Sequence, residues 1–333
     1  MKRILFVGFG PLGRRIVADL VERAVGVVAG VVDTAPALAG TPVQHTVPGA
    51  DHRLHVLPSL DAVDDWDQVD AAVVSTASDL HSCAPTYREL LRRGKAVVGT
   101  CEELVYPWLR HVALAEELDE LAKRHGGRLL GTGVNPGFLM DAFPAFLTGV
   151  SKTVRSISCY RIQDASARRI PFQKKIGVGL DDAQFAARVR DGSLKHVGLG
   201  ESLHFIAHYT GVRIERWEED IAPVHAERDM VSGMGVVPVG RVSGVRQTAR
   251  GYADERPVIH MEFQASVGQR DPHDRVVIEG DPRLDVTIAG GVHGDTATSA
   301  LVLNAVPRVL AGPPGLHTMA TLPAPMHHAA GPL

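Results

Sequence analysis

The chain begins with an apolar run that leads directly into a glycine-rich turn. Residues 4–7 are Ile, Leu, Phe and Val, and Gly8, Gly10 and Gly13 follow in a G-x-G-x-x-G pattern, ahead of a segment with apolar residues at helical spacing. Gly8 permits a tight turn, Gly10 lets the backbone approach a pyrophosphate, and Gly13 lets the helix pack closely on the strand. This order of strand, glycine turn and helix predicts a dinucleotide site.

Two neighbouring features support this site and indicate which cofactor it takes. Pro11 stands where a helix tolerates a missing N–H, and a second apolar run over residues 25–32 ends in Asp33, 20 residues after the third glycine. A carboxylate there accepts hydrogen bonds from ribose hydroxyls but repels a 2′-phosphate, so the sequence favours NAD(H). NADP(H) stays open as an alternative, because Arg14 and Arg15 follow the third glycine and could accommodate that phosphate.

The amino-acid composition argues against a nucleic-acid-binding protein and against a membrane protein. The 333 residues are 45% apolar and 22% charged, with a net charge of −3 and a pI near 6.6, which gives no field that would recruit nucleic acid or an anionic membrane. No window approaches 18 uninterrupted apolar residues. The three cysteines are odd in number and form no C-x-x-C pair, which favours a reducing compartment. We expect a cytoplasmic protein with no nucleic-acid or membrane partner.

Strands alternate with helices over the first 132 residues, an order typical of the α/β class with a Rossmann-type, doubly wound parallel sheet. Ligands of such sheets lie beyond the carboxyl ends of the strands, so the loops at those ends are expected to converge on one crevice. These loops are residues 8–13, 75–78, 100–104 and 132–138. Besides the glycines, Pro11 and Asp33, the predicted cofactor contacts are Leu12, Ser75, Thr76, Ala77, Cys101 and Asn135.

The pattern changes after residue 149. Apolar and polar residues alternate over five segments between residues 153 and 289, and two helices are predicted between the first of these segments and the rest. One of them starts at Asp181, where Gln184 completes a capping box. We therefore predict a second α+β domain built on a mainly antiparallel sheet, over residues 136–295. Residues 1–135 form the Rossmann domain, which the C-terminal helix and tail, residues 296–333, rejoin.

Glu102 and Glu103 lie where a strand of the nucleotide domain would deliver its loop to the crevice. An enzyme that reduces a carbonyl to an alcohol places a proton donor there, because an alkoxide develops. A carboxylate instead stabilises a cation and accepts a proton from an ammonium, so the pair favours amine or iminium chemistry. The alternative interpretation is that two acidic residues simply suit the positive start of the next helix.

A second glycine-rich turn, residues 131–138, offers further candidates. Asn135 has both a donor and an acceptor for a carboxamide or an amine, and Phe138, Leu139 and Met140 would line an apolar pocket; the alternative is an interdomain hinge. His204 and His208 have zinc-ligand spacing but no accompanying signature, so no metal is predicted. The predicted substrate-binding residues are Asn135, Phe138, Leu139, Met140, Arg161, Arg169 and His196.

Taken together, these residues resemble the 2,4-diaminopentanoate dehydrogenase family and the related native NAD(P)H-dependent amine dehydrogenases, with dihydrodipicolinate reductase as a more distant relative. The resemblance covers nearly the whole chain. Its carriers are the glycine turn, residues 101–108 (CEELVYPW), residues 131–138, residues 174–177 (KKIG), residues 196–199 (HVGL) with Glu201 and Ser202, and residues 291–295 (GVHGD) with the helix through Asn304.

The resemblance implies reversible reductive amination of a ketone or aldehyde with ammonia to a primary amine, in a homodimer with no metal. It also implies that the second domain binds substrate and forms the dimer, and that one glutamate of the pair is catalytic. A distantly similar family with a Glu-Lys-Pro loop points to Glu103, and both glutamates stay candidates.

Three alternatives stay open. The substrate could be a diamino acid, as in 2,4-diaminopentanoate dehydrogenase proper, which needs a group that holds a carboxylate. An imine reductase like dihydrodipicolinate reductase expects a His-His-x-x-Lys-x-Asp signature, which the sequence lacks. A non-catalytic redox sensor would bind the dinucleotide without turnover.

Overall fold

The apolar strands of the first part of the chain form a parallel sheet that carries the predicted cofactor loops. The computed structural model describes residues 1–328, and the chain divides into two compact units, Met1–Phe138 with His293–Leu333 and Leu139–Val292. Each unit has its own hydrophobic core. We describe the two units separately.

The first unit alternates strands with helices as far as Phe138. Its strands and helices in this part are β1 (Arg3–Val7), α1 (Pro11–Arg23), β2 (Val27–Val32), β3 (Val56–Leu57), β4 (Ala71–Val74), α2 (Leu80–Arg92), β5 (Ala96–Gly99), α3 (Val112–His125) and β6 (Arg128–Gly131).

The second unit has four helices and eight strands in the described residues. Its elements are α4 (Ala142–Leu147), β7 (Thr153–Asp164), α5 (Ile170–Lys175), α6 (Asp182–Arg190), α7 (Leu199–Thr210), β8 (Arg216–His225), β9 (Met230–Ser232), β10 (Gly235–Val237), β11 (Val242–Ala253), β12 (Arg256–Ser266), β13 (His273–Asp281) and β14 (Leu284–Ala289).

The chain then returns to the first unit with α8 (Gly294–Ala311) and β15 (Gly315–His317). Within the described residues the first sheet has the order β15-β6-β5-β4-β1-β2-β3, and every pairing in it is parallel. Helix α8 packs against α1 and the centre of this sheet, and Arg23 Nη2 donates to Asn304 Oδ1 at 2.7 Å. The predicted doubly wound sheet is confirmed.

The second sheet has the order β14-β13-β7-β12-β11-β8 among the described residues. All its neighbouring strands pair antiparallel except β7 and β12, which are parallel. Along β12 buried and more exposed residues alternate, so one face is buried, and α7 packs on β11 and β12 with its apolar side. The predicted second α+β domain on a mainly antiparallel sheet is confirmed.

Four elements of the second unit were not expected from the sequence: α5, β8 and the short strands β9 and β10. Helix α5 is a third helix between β7 and the following strands, where two were expected. Strand β8 was not expected, because it carries Pro223 and a run of acidic residues. Since β8 is the edge strand beside β11, one side of its backbone needs no partner strand, and a proline and charges are tolerated there.

Among the described residues, no helix has both the length and the apolar character needed to cross a membrane.

A buried ion pair joins β7 to β13 in the second unit. Arg161 Nη1 lies 2.6 Å from Asp274 Oδ1, and the two side chains are 2% and 6% exposed. Arg161 Nη2 also donates to the carbonyl oxygen of Val292, whose N–H donates to Asp274 Oδ2. Burial lowers the pKa of Arg161, and the Asp274 carboxylate opposes that shift. The pair thus fixes the segment that ends the second unit.

Asp274→Ala should therefore destabilise the protein strongly, because it leaves the Arg161 charge buried without its carboxylate. We expect a loss of about 3–5 kcal/mol in the free energy of unfolding. The matched control is Asp285→Ala, which breaks the exposed Arg275–Asp285 pair and should cost no more than about 1 kcal/mol. Chemical denaturation of both variants measures the difference, and equal losses would contradict the structural role of the buried pair.

Candidate functional site

Close backbone packing explains two of the three glycines in the turn after β1. Gly8 has φ +94°, and its N–H donates to the Val32 carbonyl at 2.8 Å. A Cβ added to Gly13 would lie 2.0 Å from the Gly8 carbonyl oxygen, and one added to Gly8 would lie 2.6 Å from the Ser75 carbonyl oxygen. Because these neighbours are backbone atoms of the turn itself and of the loop after β4, a larger residue at either position would push these segments apart.

Gly10 differs from the other two glycines, because the packing of the protein does not require a glycine at this position. Its backbone is extended at φ −69°, and an added Cβ would meet no protein atom within 4 Å. The absent side chain thus keeps open the space beside the start of α1, a helix of 13 residues that begins at Pro11. The N–H groups of Leu12 and Gly13 belong to this first turn. The arrangement fits the pyrophosphate of a dinucleotide.

Asp33 is fixed beside the glycine turn at the carboxyl end of β2. Its Oδ2 accepts a hydrogen bond from the Phe9 N–H at 2.6 Å, and its Oδ1 accepts one from the Ala35 N–H at 2.8 Å. Of the two arginines that follow the turn, Arg14 contacts the turn itself and Arg15 is paired within α1. Arg14 Nε donates to the Phe9 carbonyl, and Arg15 forms an ion pair with Asp19. The rigid carboxylate suits ribose hydroxyls better than a phosphate.

The loop after β4 is tied to both the glycine turn and the loop after β5. Ser75 Oγ donates to the Gly8 carbonyl at 3.0 Å. The carbonyl oxygens of Ala77 and Ser78 accept hydrogen bonds from the thiols of Cys83 and Cys101, at 3.5 and 3.2 Å. Thr76 is exposed at the tip of this loop. The predicted cofactor residues Ser75, Thr76, Ala77 and Cys101 thus belong to one hydrogen-bonded group of loops.

The glutamate pair forms a short 3-10 turn, Glu102–Val105, directly after β5. Glu103 Oε2 accepts hydrogen bonds from the Leu80 N–H, at the start of α2, and from His111 Nε2, both at 2.8 Å. The Glu103 and His111 side chains are 17% and 13% exposed. Glu102 is half-buried, and its Oε2 is buried. Glu103 therefore anchors the loop to α2, and Glu102 is held beside it on the same turn.

His111 was missed by the sequence-based reasoning. It precedes α3 and lies between Glu103 and His81, whose ring meets the His111 ring edge to face at 4.8 Å between centroids. Because a carboxylate oxygen only accepts, His111 Nε2 carries the proton in the bond to Glu103. Nothing in the sequence marks this residue, because the contact depends on how α2 and the segment before α3 pack.

The turn that contains Asn135 is built into the first unit. The Thr132 N–H donates to the Gly99 carbonyl at 2.9 Å, and the Val134 N–H donates to Thr298 Oγ1 on α8 at 3.2 Å. The side-chain oxygen Oδ1 of Asn135 is buried. The loops with Gly10, Thr76, Glu102 and Asn135 all follow neighbouring strands at the carboxyl edge of the first sheet, where dinucleotides and their substrates bind.

Most of the predicted substrate residues lie in the second unit, and Phe138 is the last residue of the first. Leu139 and Met140 are 5% and 1% exposed, and Met140 belongs to a core cluster of the second unit. Arg161 is the buried partner of Asp274. Arg169 is exposed directly before α5. The structure thus divides these candidates into buried apolar residues, a paired arginine and a surface arginine.

His196 is held in a neutral state. Its Nδ1 lies 3.0 Å from the Val197 carbonyl, and its ring packs on Phe263. Burial, and then the positive charges of Lys175 and Arg161, lower the pKa of His196 to about 3. Since a carbonyl only accepts, Nδ1 carries the proton, which leaves Nε2 with acceptor character. The ring is therefore a hydrogen-bonding group rather than a cation near neutral pH.

Among the described residues, no group of three or more histidine, cysteine, aspartate or glutamate side chains could hold a metal ion. His204 Nδ1 lies 2.8 Å from the Gly200 carbonyl, and its ring meets Trp217 edge to face. The His208 ring contacts that of Tyr209.

A parallel sheet with a glycine turn, a fixed carboxylate after β2 and an acidic loop after β5 defines a dehydrogenase of the Rossmann class. The sequence profile of the 2,4-diaminopentanoate dehydrogenase C-terminal domain matches residues 138–331, and the chain belongs to this family. The protein is an oxidoreductase, as the sequence predicted.

Known relatives match most of the chain. It is 28% identical over 331 residues to 2,4-diaminopentanoate dehydrogenase of Acetoanaerobium sticklandii, covering 97% of this chain and 94% of that protein. It is 26% identical over 220 residues to an amine dehydrogenase of Streptomyces virginiae, covering 60% and 61% of the two chains. The solved structure of an amine dehydrogenase from Mycobacterium smegmatis superposes with a TM-score of 0.85 at 24% identity, over 98% and 97% of the chains, which shows the same fold.

Gly10→Ala separates cofactor binding from folding. No protein atom lies near the added methyl group, so the melting temperature should stay unchanged, whereas the affinity for NADH should fall about tenfold or more, since the methyl group occupies the space for the pyrophosphate. NADH fluorescence measures the affinity.

The control for this variant is Gly149→Ala in the second unit, where an added methyl group also meets no atom within 4 Å. It should change neither quantity. Unchanged NADH affinity in Gly10→Ala would show that the turn does not hold the cofactor.

Proposed function

We propose that the protein is an NAD(H)-dependent amine dehydrogenase that interconverts a primary amine with a ketone or aldehyde and ammonia. The observation that carries the proposal is the position of Glu102 and Glu103 on one turn at the carboxyl edge of the first sheet. A hydrogen bond from the Leu80 N–H to Glu103 holds this turn at the start of α2. Membership of the 2,4-diaminopentanoate dehydrogenase family agrees with this chemistry. The proposed enzyme works in the cytoplasm as a homodimer without a metal.

The charge at this loop decides between nitrogen and oxygen chemistry. Reduction of a ketone to an alcohol develops a negative oxygen, which a neighbouring carboxylate would repel. Oxidation of an amine develops a cationic iminium, which a carboxylate stabilises, and the amine must first lose a proton to a base. Two carboxylates in one loop therefore support an amine substrate.

We assign different roles to the two glutamates. Glu103 Oε2 already accepts two hydrogen bonds, so Glu103 positions the loop, together with His111. Glu102 lies on the same turn and is the proposed base, whose carboxylate takes a proton from the substrate ammonium before the amine is oxidised. The dinucleotide, when bound, accepts or supplies the hydride. Asn135 is proposed to orient the substrate nitrogen through hydrogen bonds.

A diamino acid is the second candidate substrate, because the relative that matches 97% of the chain is a 2,4-diaminopentanoate dehydrogenase. Such a substrate needs a cationic partner for its carboxylate. Arg161 is buried, whereas Arg169 is exposed, so Arg169 is the more accessible candidate for this role. Phe138 remains the proposed apolar residue beside the substrate.

A direct assay tests the function. Purified protein is mixed with NADH, ammonia and a panel of ketones, aldehydes and keto acids, and in the reverse direction with NAD and simple amines or 2,4-diaminopentanoate. Ammonia-dependent oxidation of NADH is the expected result. Binding of NADH with no turnover on any substrate would favour the redox sensor, and turnover without ammonia on a cyclic imine would favour an imine reductase.

Glu102→Gln and Glu103→Gln make the same chemical change and test the assignment of the base. Glu102→Gln should lower kcat by about 10²- to 10⁴-fold with NADH affinity kept. Glu103→Gln should lower kcat by less than about tenfold, because an amide can still accept from Leu80 and bind His111. A larger loss in Glu103→Gln would exchange the two roles, and normal turnover in both would refute a catalytic carboxylate.

Cofactor preference tests the role of Asp33. The unmodified enzyme should have a higher kcat/KM with NADH than with NADPH, and Asp33→Ser should shift that ratio toward NADPH by about tenfold or more, because the charge that repels a 2′-phosphate is lost. Asp51→Ser, which removes an exposed carboxylate paired with Arg53, should leave the ratio unchanged. A preference of the unmodified enzyme for NADPH would contradict this role.

A further inference from the structure

The strands β9 and β10 form a hairpin that is apolar on both faces. Met230 and Val237 lie opposite each other and pack inward, on a core cluster of the second unit. Val231 and Val236 are also directly opposite each other, but they point outward, and their exposed fractions are 79% and 64%. An antiparallel sheet with one face in water normally alternates apolar and polar residues. This pattern is therefore typical of strands that are covered on both faces.

Further exposed apolar side chains lie at the two ends of the hairpin. Met234 in the turn is 41% exposed, and Val239, which follows β10, is 61% exposed. Ile170, the first residue of α5, is also exposed and lies beside the turn, since its Cγ1 would be 3.5 Å from a Cβ added to Gly233. We use the name hairpin surface for the exposed apolar side chains of the hairpin itself, which are Val231, Met234, Val236 and Val239.

Hydrogen bonds hold the hairpin in shape at both ends. In the turn, the Met234 N–H donates to Ser232 Oγ at 3.1 Å, and this hydroxyl donates to the Gly235 carbonyl at 2.9 Å. At the base, the Val239 N–H donates to Asp229 Oδ1 at 2.9 Å. The hairpin surface is therefore organised before any partner binds, which lowers the entropic cost of a contact.

We propose that the hairpin surface is a contact between two copies of this chain, in which the outer faces of two hairpins pack on each other across a two-fold axis. The proposal rests on the homodimer of the proposed function and adds a contact surface to it. A two-fold axis brings the same patch of both copies together, so a patch that is apolar throughout is complementary to itself. The Val231–Val236 pair of each copy lies at the centre of this contact.

The size of the hairpin surface fits such a contact. Its four side chains expose apolar surface on the order of 400 Å², which is within the range of the largest patches on ordinary monomers, and such patches are often functional. Each partner of a standard interface contributes about 800 Å², and about 65% of a homodimer interface is apolar. The hairpin surface thus supplies most of the apolar share, and neighbouring residues such as Ile170 supply the remainder.

The chemistry of the hairpin favours a second copy over a lipid surface. Segments that lie on membranes combine apolar residues with lysine, arginine and aromatic side chains. Residues 230–240 contain no charged residue and no aromatic ring. Few charges and an enrichment in methionine are instead typical of the cores of protein interfaces. The net charge of −3 is small, so two copies repel each other only weakly.

The mass of the full-length protein in solution tests the proposal. Light scattering over a dilution series should give twice the 35.7 kDa of one chain for the unmodified protein. Val231→Asp combined with Val236→Asp should raise the dissociation constant of the dimer at least about 100-fold, because carboxylates then meet at the centre of the contact without partners. Since aspartate is a poor strand residue, Val231→Thr combined with Val236→Thr is the second variant. It keeps the branched shape and should weaken the dimer about tenfold or more.

Val150→Asp is the matched control, because Val150 is a valine of the second unit outside the hairpin and is 68% exposed. It should leave the dissociation constant unchanged. A monomeric unmodified protein, an unchanged dimer in both hairpin variants, or equal weakening by Val150→Asp would overturn the proposal. Binding to phosphatidylcholine vesicles that both hairpin variants lose would also overturn it, because the surface would then belong to lipid. Failure of the proposed amine dehydrogenase activity would leave these masses readable.

Discussion

The hydrogen bond from the Leu80 N–H to Glu103 joins the two parts of the first unit on which its proposed chemistry depends. A helix start has N–H groups without partners in the helix, and an acidic side chain satisfies one of them while it meets the positive end of the helix dipole. Here that carboxylate belongs to the next loop along the sheet, so α2 and the glutamate turn are fixed to each other. His111 completes the anchor from the other side. The position of Glu102 follows from these contacts.

Local patterns predicted those features that depend on neighbouring residues. The strand, glycine turn and first helix are contiguous, so spacing alone identified Gly8, Gly10 and Gly13, and the distance to the next strand end identified Asp33. The structure adds different reasons for the glycines: Gly8 and Gly13 are required by backbone contacts within 3 Å of an added Cβ, whereas Gly10 has no such neighbour. The pattern is therefore partly a packing requirement and partly open space for a ligand.

Features that depend on contacts between residues far apart in the chain could not be predicted from local sequence patterns. His111 acquires its role only when it meets Glu103. Arg161 was predicted to bind substrate because it is positively charged. In the structure its partner is Asp274, which lies 113 residues later in the sequence. Strand β8 was not predicted, because its proline and acidic residues are unusual in a central strand. An edge strand tolerates them. In each case a contact between elements decided the outcome.

The path of the chain has a consequence for synthesis. Strand β15 completes one edge of the first sheet and α8 covers its centre beside α1, although more than 150 residues of the second unit separate them from β6. During translation the nascent nucleotide-binding half therefore leaves the ribosome with an uncovered sheet edge and a bare apolar face. It must wait for the last segment before its core closes, and in that interval a chaperone that shields exposed apolar surface has its clearest target.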